Sequence, residues 1–130
     1  MKFSKIHKDD RGSISLLHED MKLDEVTVFE TNAGYARGGC VHNINDEYVT
    51  VIEGDVIYVT DGLVEYMSMG DNLTVHAGMP HYFISVTDSI VMEWGATPKE
   101  KKEKHTEYRR VVDEFNSRGN NGSDQTSIQQ

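Results

Sequence analysis

Four residues of this chain carry side chains that bind metals or move protons, and they fall in two short segments. Cys40 and His42 lie in Gly38-Gly39-Cys40-Val41-His42, a stretch that reads as a strand. Alternation along a strand sends both side chains to the same face. After a polar turn, Glu47 opens the next strand, which Gly54 closes. In the second segment Gly78, Met79 and Pro80 make a tight turn that delivers His81 to the head of another strand. Thiolate, imidazole and carboxylate together suit a divalent transition ion such as zinc, iron, nickel or manganese. A neutral imidazole is also a general base near physiological pH. Spacing alone does not make the four groups meet; that depends on the elements that carry them.

Those elements read as strands throughout the first three quarters of the chain. Strand signals recur at short intervals over Ile14 to Leu17, Val26 to Thr31, Tyr35 to His42, Tyr48 to Glu53, Val56 to Thr60, Val64 to Met69, Asn72 to Val75, His81 to Val86 and Ile90 to Gly95. Gly, Asn or Asp separates most of them, the signature of an all-β barrel or sandwich. Glu53-Gly54 and Asp61-Gly62 read as tight hairpin turns. Composition changes after Gly95. Thr97-Pro98-Lys99-Glu100 is a capping-box pattern with proline at the first helical position. Tyr108, Val111, Val112 and Phe115 then form one helical stripe. The expectation is a barrel over 1–96, a helix over 97–116 packed by its C-terminal half, and a disordered tail over 117–130.

Composition narrows the class of partner. A chain of 130 residues with 37% hydrophobic residues makes one domain with a real core. Against 22 Asp and Glu stand only 13 Lys and Arg, a formal charge of −9 that disfavours nucleic acid. An anionic ligand would need a local basic pocket. A single cysteine makes no internal disulfide and leaves Cys40 free, in keeping with a reducing compartment. With no transmembrane stretch and no apolar signal region at the start, the reading is a cytoplasmic protein with no membrane partner.

The two segments resemble the paired motifs of the cupin superfamily. His42 stands at the second histidine of the first motif, Glu47 at its glutamate, Gly54 at its closing glycine, and His81 at the histidine of the second. Cys40 replaces the first histidine, His76 a proline and Ser85 an asparagine. The resemblance implies a jelly-roll β-barrel with one C-terminal helix, in which Cys40, His42, Glu47 and His81 hold a divalent metal. Cupins commonly pair barrels through their sheets, so a homodimer is implied as well.

A second resemblance, covering about Asp10 to Phe115, is to the sugar-nucleotide cupins, in particular the 3,4-ketoisomerases of dTDP-linked keto sugars. It rests on Asp10-Arg11-Gly12-Ser13-Ile14, on Arg37-Gly38-Gly39-Cys40-Val41-His42 and on the closing Tyr108 to Phe115. It implies an isomerase or epimerase of a sugar or nucleotide-sugar in surface-polysaccharide biosynthesis, with no organic cofactor. His42 would move the proton, Tyr35 or Glu47 would assist, and Arg37, with Arg11 as a second candidate, would bind a phosphate. Cys40 interrupts the family's histidine pair, and a charged Glu47 suits a metal better than a nucleotide sugar.

Three functions remain open at this level: a sugar isomerase or epimerase, a metal-dependent cupin dioxygenase or lyase, and a non-catalytic sugar-binding barrel. Plainer readings stand beside them. Cys40 taken alone is a small packing residue, and Arg37 serves to neutralise a buried Glu47. His7 and His76 read as surface residues, and Tyr35, Tyr48 and Tyr82 as packing or interface residues.

Overall fold

A computed structural model describes residues 4–16, 26–95 and 102–120. Eleven strands and one helix make up those residues: β1 (Ser4–Asp9), β2 (Gly12–Leu16), β3 (Val26–Thr31), β4 (Ala36–Val41), β5 (Glu47–Glu53), β6 (Val56–Thr60), β7 (Leu63–Met67), β8 (Asn72–Val75), β9 (His81–Ser85), β10 (Ser89–Trp94), β11 (Glu103–Lys104) and α1 (Thr106–Asn120). They form a six-stranded sheet, β1-β2-β3-β10-β5-β8, and a five-stranded sheet, β11-β4-β9-β6-β7. Every strand pair is antiparallel. Between the sheets lie Val49, Val51, Val56, Tyr58, Met67, Val75, Phe83 and Val91. Each such side chain contributes roughly 1.5–3 kcal/mol on burial. No described helix is long and apolar enough to cross a membrane.

The period of two that builds this core also builds the site. Along β5, Glu47, Val49 and Val51 face inward while Tyr48 and Ile52 face out. Tyr58 on β6, His81 and Phe83 on β9, and Val91 and Glu93 on β10 take inward positions in the same way. On β4 the alternation is interrupted. Gly38 and Gly39 both have positive φ, 118° and 87°, and the register with β9 slips there, so that Arg37 faces Phe83 while Cys40 faces His81. The extra residue of this bulge reverses the parity of the strand. Arg37 and Cys40, three positions apart, therefore both point into the barrel.

Asp61-Gly62 does close a hairpin, between β6 and β7, with φ of 45° and 88°. Glu53-Gly54 does not. It carries the chain from β5 in one sheet to β6 in the other, so the turn is a corner of the sandwich. The helix also departs from expectation: Glu103–Lys104 pairs with β4 as a short strand, and α1 begins at Thr106. It continues past Asn116 into the expected tail, as far as Asn120. The amide of Tyr108 donates to His105 Nδ1 at 3.2 Å, so His105 caps the helix; the capping box at Thr97 lies outside the described residues. Val112 is fully buried, and Asn116 holds both backbone groups of Ala36 at 2.7 and 3.0 Å, which docks α1 on β4.

Candidate metal centre

Cys40 and His42 from β4 and the segment after it, Glu47 from β5 and His81 from β9 meet inside the barrel. The ligating atoms of Cys40, His42 and His81 all lie within 4.8 Å of one another. Glu47 Oε1 sits 3.3 Å from His42 Nε2 and 3.4 Å from His81 Nε2, and Cys40 Sγ lies 3.7 Å from His81 Nε2. The two imidazoles stack at 5.5 Å. His42, Glu47 and His81 are each no more than 5% exposed.

Distances of this kind usually mean hydrogen bonds, yet both ring nitrogens of His42 and Oε1 of Glu47 are buried without one. Orphaned buried polar atoms are rare because each forfeits its hydration. Two of them, His42 Nε2 and Glu47 Oε1, lie 3.3 Å apart, as neighbouring ligands of a cation do; one imidazole can direct only one of its nitrogens to such an ion. His81 adds a second sign. Its Nδ1 lies 3.0 Å from the carbonyl of Met79, which only accepts, so Nδ1 carries a proton and Nε2 is left facing the cluster. The Gly78-Met79-Pro80 turn thus orients the imidazole as well as delivering it.

Charge on the cluster fits a divalent ion. Burial pushes the Cys40 thiol up, but His42 and His81 beside it bring it down to about 6. Burial likewise opposes ionisation of Glu47, and the same two histidines hold it near 2. Cys40 and Glu47 raise His42 to about 9; they raise His81 to about 11 against its desolvation. The ion-free cluster is therefore a thiolate and a carboxylate facing two imidazolium groups. A divalent cation would displace the imidazole protons and leave two anions and two neutral nitrogens around it.

Next to the cluster opens a cavity of about 230 Å³, lined among others by Arg37, Cys40, Tyr58, His81, Glu93 and Arg109. Arg37 is 3% exposed, with Nε donating to Thr31 Oγ1 at 2.7 Å and Nη2 to the Glu30 carbonyl at 3.3 Å, and it rests over the Phe29 ring. Burial lowers its pKa to about 10, which still leaves it charged at neutral pH. Arg37 does not neutralise Glu47, whose ion pairs are with the two histidines. Arg11 also borders the cavity but is engaged by Asp9 at 2.6 Å. Arg109 reaches in from α1, with Nη1 donating to the Gly38 carbonyl at 3.0 Å.

Two sequence candidates sit elsewhere. Tyr35 lines a separate surface depression with Asp9, Asp10, Arg11 and Asn116. His42 closes the cluster but is not among the cavity-lining residues. His7 and His76 are exposed and paired with Asp9 and Asp46. Sequence reasoning missed Glu93, Tyr58 and Arg109. For Glu93 the signal was present: it takes an inward position two residues after Val91, within the apolar run Ile90-Val91-Met92 and Trp94.

No protein-family model and no curated protein matches the sequence. Solved structures do. A capsular polysaccharide assembling protein, CapF from Staphylococcus aureus, is 17% identical with a TM-score of 0.69 over 80% of this chain. The match takes in 32% of the CapF chain, so this protein spans about a third of its length. An RmlC-like cupin from Desulfovibrio desulfuricans is 28% identical over 70% of this chain and 88% of its own, with a TM-score of 0.60. KdgF from Halomonas is 14% identical over 76% of this chain and 89% of its own, at 0.63. The fold is that of the cupin superfamily, a single-domain jelly roll with one C-terminal helix.

Proposed function

We propose that this protein is a divalent-metal-dependent cupin enzyme that isomerises or epimerises a sugar bearing an anionic group, by moving a proton beside its carbonyl. The observation that carries the reading is the grouping of the ligating atoms of Cys40, His42 and His81 within 4.8 Å of one another, with Glu47 against both histidines, beside a cavity that also holds the charged, buried Arg37. A bound ion supplies Lewis-acid polarisation of a carbonyl or hydroxyl oxygen. The chain supplies the rest. Cys40, His42, Glu47 and His81 hold the ion, and His42 serves as ligand rather than base, because it lies away from the cavity. Arg37, locked by Thr31 and Glu30, presents its remaining N–H groups to a carboxylate or phosphate, with Arg109 beside it. In a chain of charge −9 this is where an anion finds attraction. The sugar assignment is supported by the Asp10 to Ser13 and Arg37 to His42 strings and by the likeness to CapF, which assembles capsular polysaccharide.

The test is proton exchange. Zinc-, iron- or manganese-loaded protein is incubated in deuterated water with a dTDP-linked 4-keto-6-deoxy sugar and with free keto sugar acids, and deuterium is followed by NMR. Exchange at the carbon beside the carbonyl is expected, abolished in His81→Ala and weakened in Arg37→Ala. If no keto sugar exchanges, the isomerase reading fails. Heat protection by one of them would then leave a sugar-binding barrel, and its absence a metal cupin of lyase or dioxygenase type.

A further inference from the structure

The register of β4 with β9 fixes how far the anion anchor stands from the cluster. Arg37 pairs with Phe83 and Cys40 with His81. Phe83 and His81 are two residues apart on β9 and both face inward. Anchor and cluster are therefore displaced along the wall by one repeat of the pleat, roughly 6.4–6.8 Å. The same cavity is lined by three aromatic rings in contact with one another: Tyr58 stacks on Phe83 at 5.7 Å, and Phe29 meets Phe83 edge-on at 6.0 Å. One sugar ring matches that layout, with an apolar wall for its face and polar groups one ring's width apart.

Charge limits the ligand further. Arg37 is the buried cation of the lining; Arg11 and Arg109 are half-buried and Lys102 is exposed. Arg37 donates to a hydroxyl and a carbonyl, and no described carboxylate lies within ion-pair distance of it. Glu93, the acid of the lining, accepts from the Tyr58 hydroxyl at 3.0 Å and makes no ion pair with Arg37. Arg11 and Arg109, by contrast, already face Asp9 and Asp113. A buried guanidinium without a counter-charge is costly, and one anionic group on a ligand relieves it.

A nucleotide-linked sugar asks for more on both counts. Its diphosphate, pentose and base add bulk that a cavity of about 230 Å³ does not enclose; pockets for ligands of that size run roughly 300–1,000 Å³. Its surplus would have to lie outside. Arg11 also lines the neighbouring depression, where Asp9 and Asp10 stand with it, so a phosphate extending past Arg11 meets two carboxylates. We infer that the cavity takes a single sugar ring carrying one anionic group of its own, a carboxylate or a phosphate monoester, and excludes nucleotide-linked sugars. The inference deepens the isomerase reading and rests on it for what is done to the ring. Arg37 holds the anion, the aromatic rings pack on one face of the sugar, and its opposite edge reaches the Cys40 and His81 end.

Calorimetric titration of the full zinc-loaded chain with sugars that carry no ketone reads binding apart from isomerisation. The ligands are glucuronate, galacturonate, glucose 6-phosphate, glucose and dTDP-glucose. At least one of the three charged rings should bind, with glucose weaker by about tenfold or more, the loss expected with a hydrogen bond to a charged group. Whether an acid or the phosphate binds decides between the two anions. dTDP-glucose should bind no more tightly than glucose. Arg37→Met should bring the charged ring down to the level of glucose with zinc content unchanged. Silence from all three charged rings, glucose equal to them, or dTDP-glucose as tight as the best of them would overturn the inference. If this ranking holds while no keto sugar exchanges deuterium, the isomerase reading falls and the size and charge of the ligand stand. If a dTDP-linked keto sugar alone exchanges, the isomerase reading stands and this inference falls.

Discussion

Gly39 lies so close to Arg109 that a Cβ on the glycine would come within 2.7 Å of the arginine Cα. The residue is thus where the β4 bulge and helix α1 lock together, and its φ of 87° is one that residues with a side chain rarely adopt. His105, which caps the helix, donates its amide to the Gly39 carbonyl at 2.9 Å. Gly39→Ala should therefore cost about 2 kcal/mol or more, from left-handed strain and the clash together. Urea unfolding measures it. A midpoint equal to wild type would mean that strand and helix do not approach as described.

Loss of single ligands should be unequal. His42→Ala and His81→Ala should each abolish metal binding, since each removes a buried nitrogen and leaves Glu47 facing a lone imidazole. Cys40→Ser should weaken binding less, because a small oxygen ligand still occupies the position. Cobalt(II) substitution reads both: the sulfur-to-metal charge-transfer band should be present in wild type, absent in Cys40→Ser, and no spectrum should develop in the histidine variants. A wild-type cobalt spectrum without a sulfur band would remove Cys40 from the ligand set.

Ion-free protein should be most stable in weak acid. His42 and His81, raised from 6.5 to about 9 and about 11, contribute stability that is complete below 6.5 and is lost as pH rises through the folded values. Cys40, lowered from 9.0 to about 6, works in the opposite sense and offsets one of them. Glu47, lowered from 4.5 to about 2, contributes above 4.5 and loses that contribution as pH falls toward 2. Glu93, raised from 4.5 to about 8, contributes fully below 4.5 and loses that contribution as pH rises toward 8. The melting temperature of chelator-treated protein should peak near 4.5 and fall on both sides. Glu93→Gln should flatten the alkaline side. A profile level from weak acid to alkali would contradict the cluster's electrostatics.

Arg37→Met should leave metal content intact and weaken binding of an anionic sugar by about 1.5–3 kcal/mol, the range for a hydrogen bond to a charged group. Calorimetry with phosphate and with keto sugar acids, in protein loaded with zinc, checks this. Equal affinity for wild type and variant would place the anion elsewhere.

Much of this was legible in the sequence because the period of two is strict where it matters. Glu47, Val49 and Val51 could be read as one face of β5, and the Gly78-Met79-Pro80 turn marked His81 as the head of a strand. What local patterns could not carry was parity and pairing. Two glycines between Arg37 and Cys40 hide a bulge, and only the register with β9 reveals that both residues face inward. Glu53-Gly54 has hairpin chemistry, but whether a turn pairs its flanking strands or separates them into two sheets depends on distant strands. β11 is short and charged and becomes a strand only because β4 offers it an edge. Glu93 finds its hydrogen-bond partner in Tyr58, which is remote in sequence.

The central claim is that Cys40, His42, Glu47 and His81 hold a metal. It is tested most directly by elemental analysis of protein purified without an affinity tag, wild type beside His42→Ala and His81→Ala. About one divalent transition ion per wild-type chain, absent from both variants, is the expected result. Background metal in wild type, with no uptake when zinc, iron, nickel or manganese is added, would contradict it.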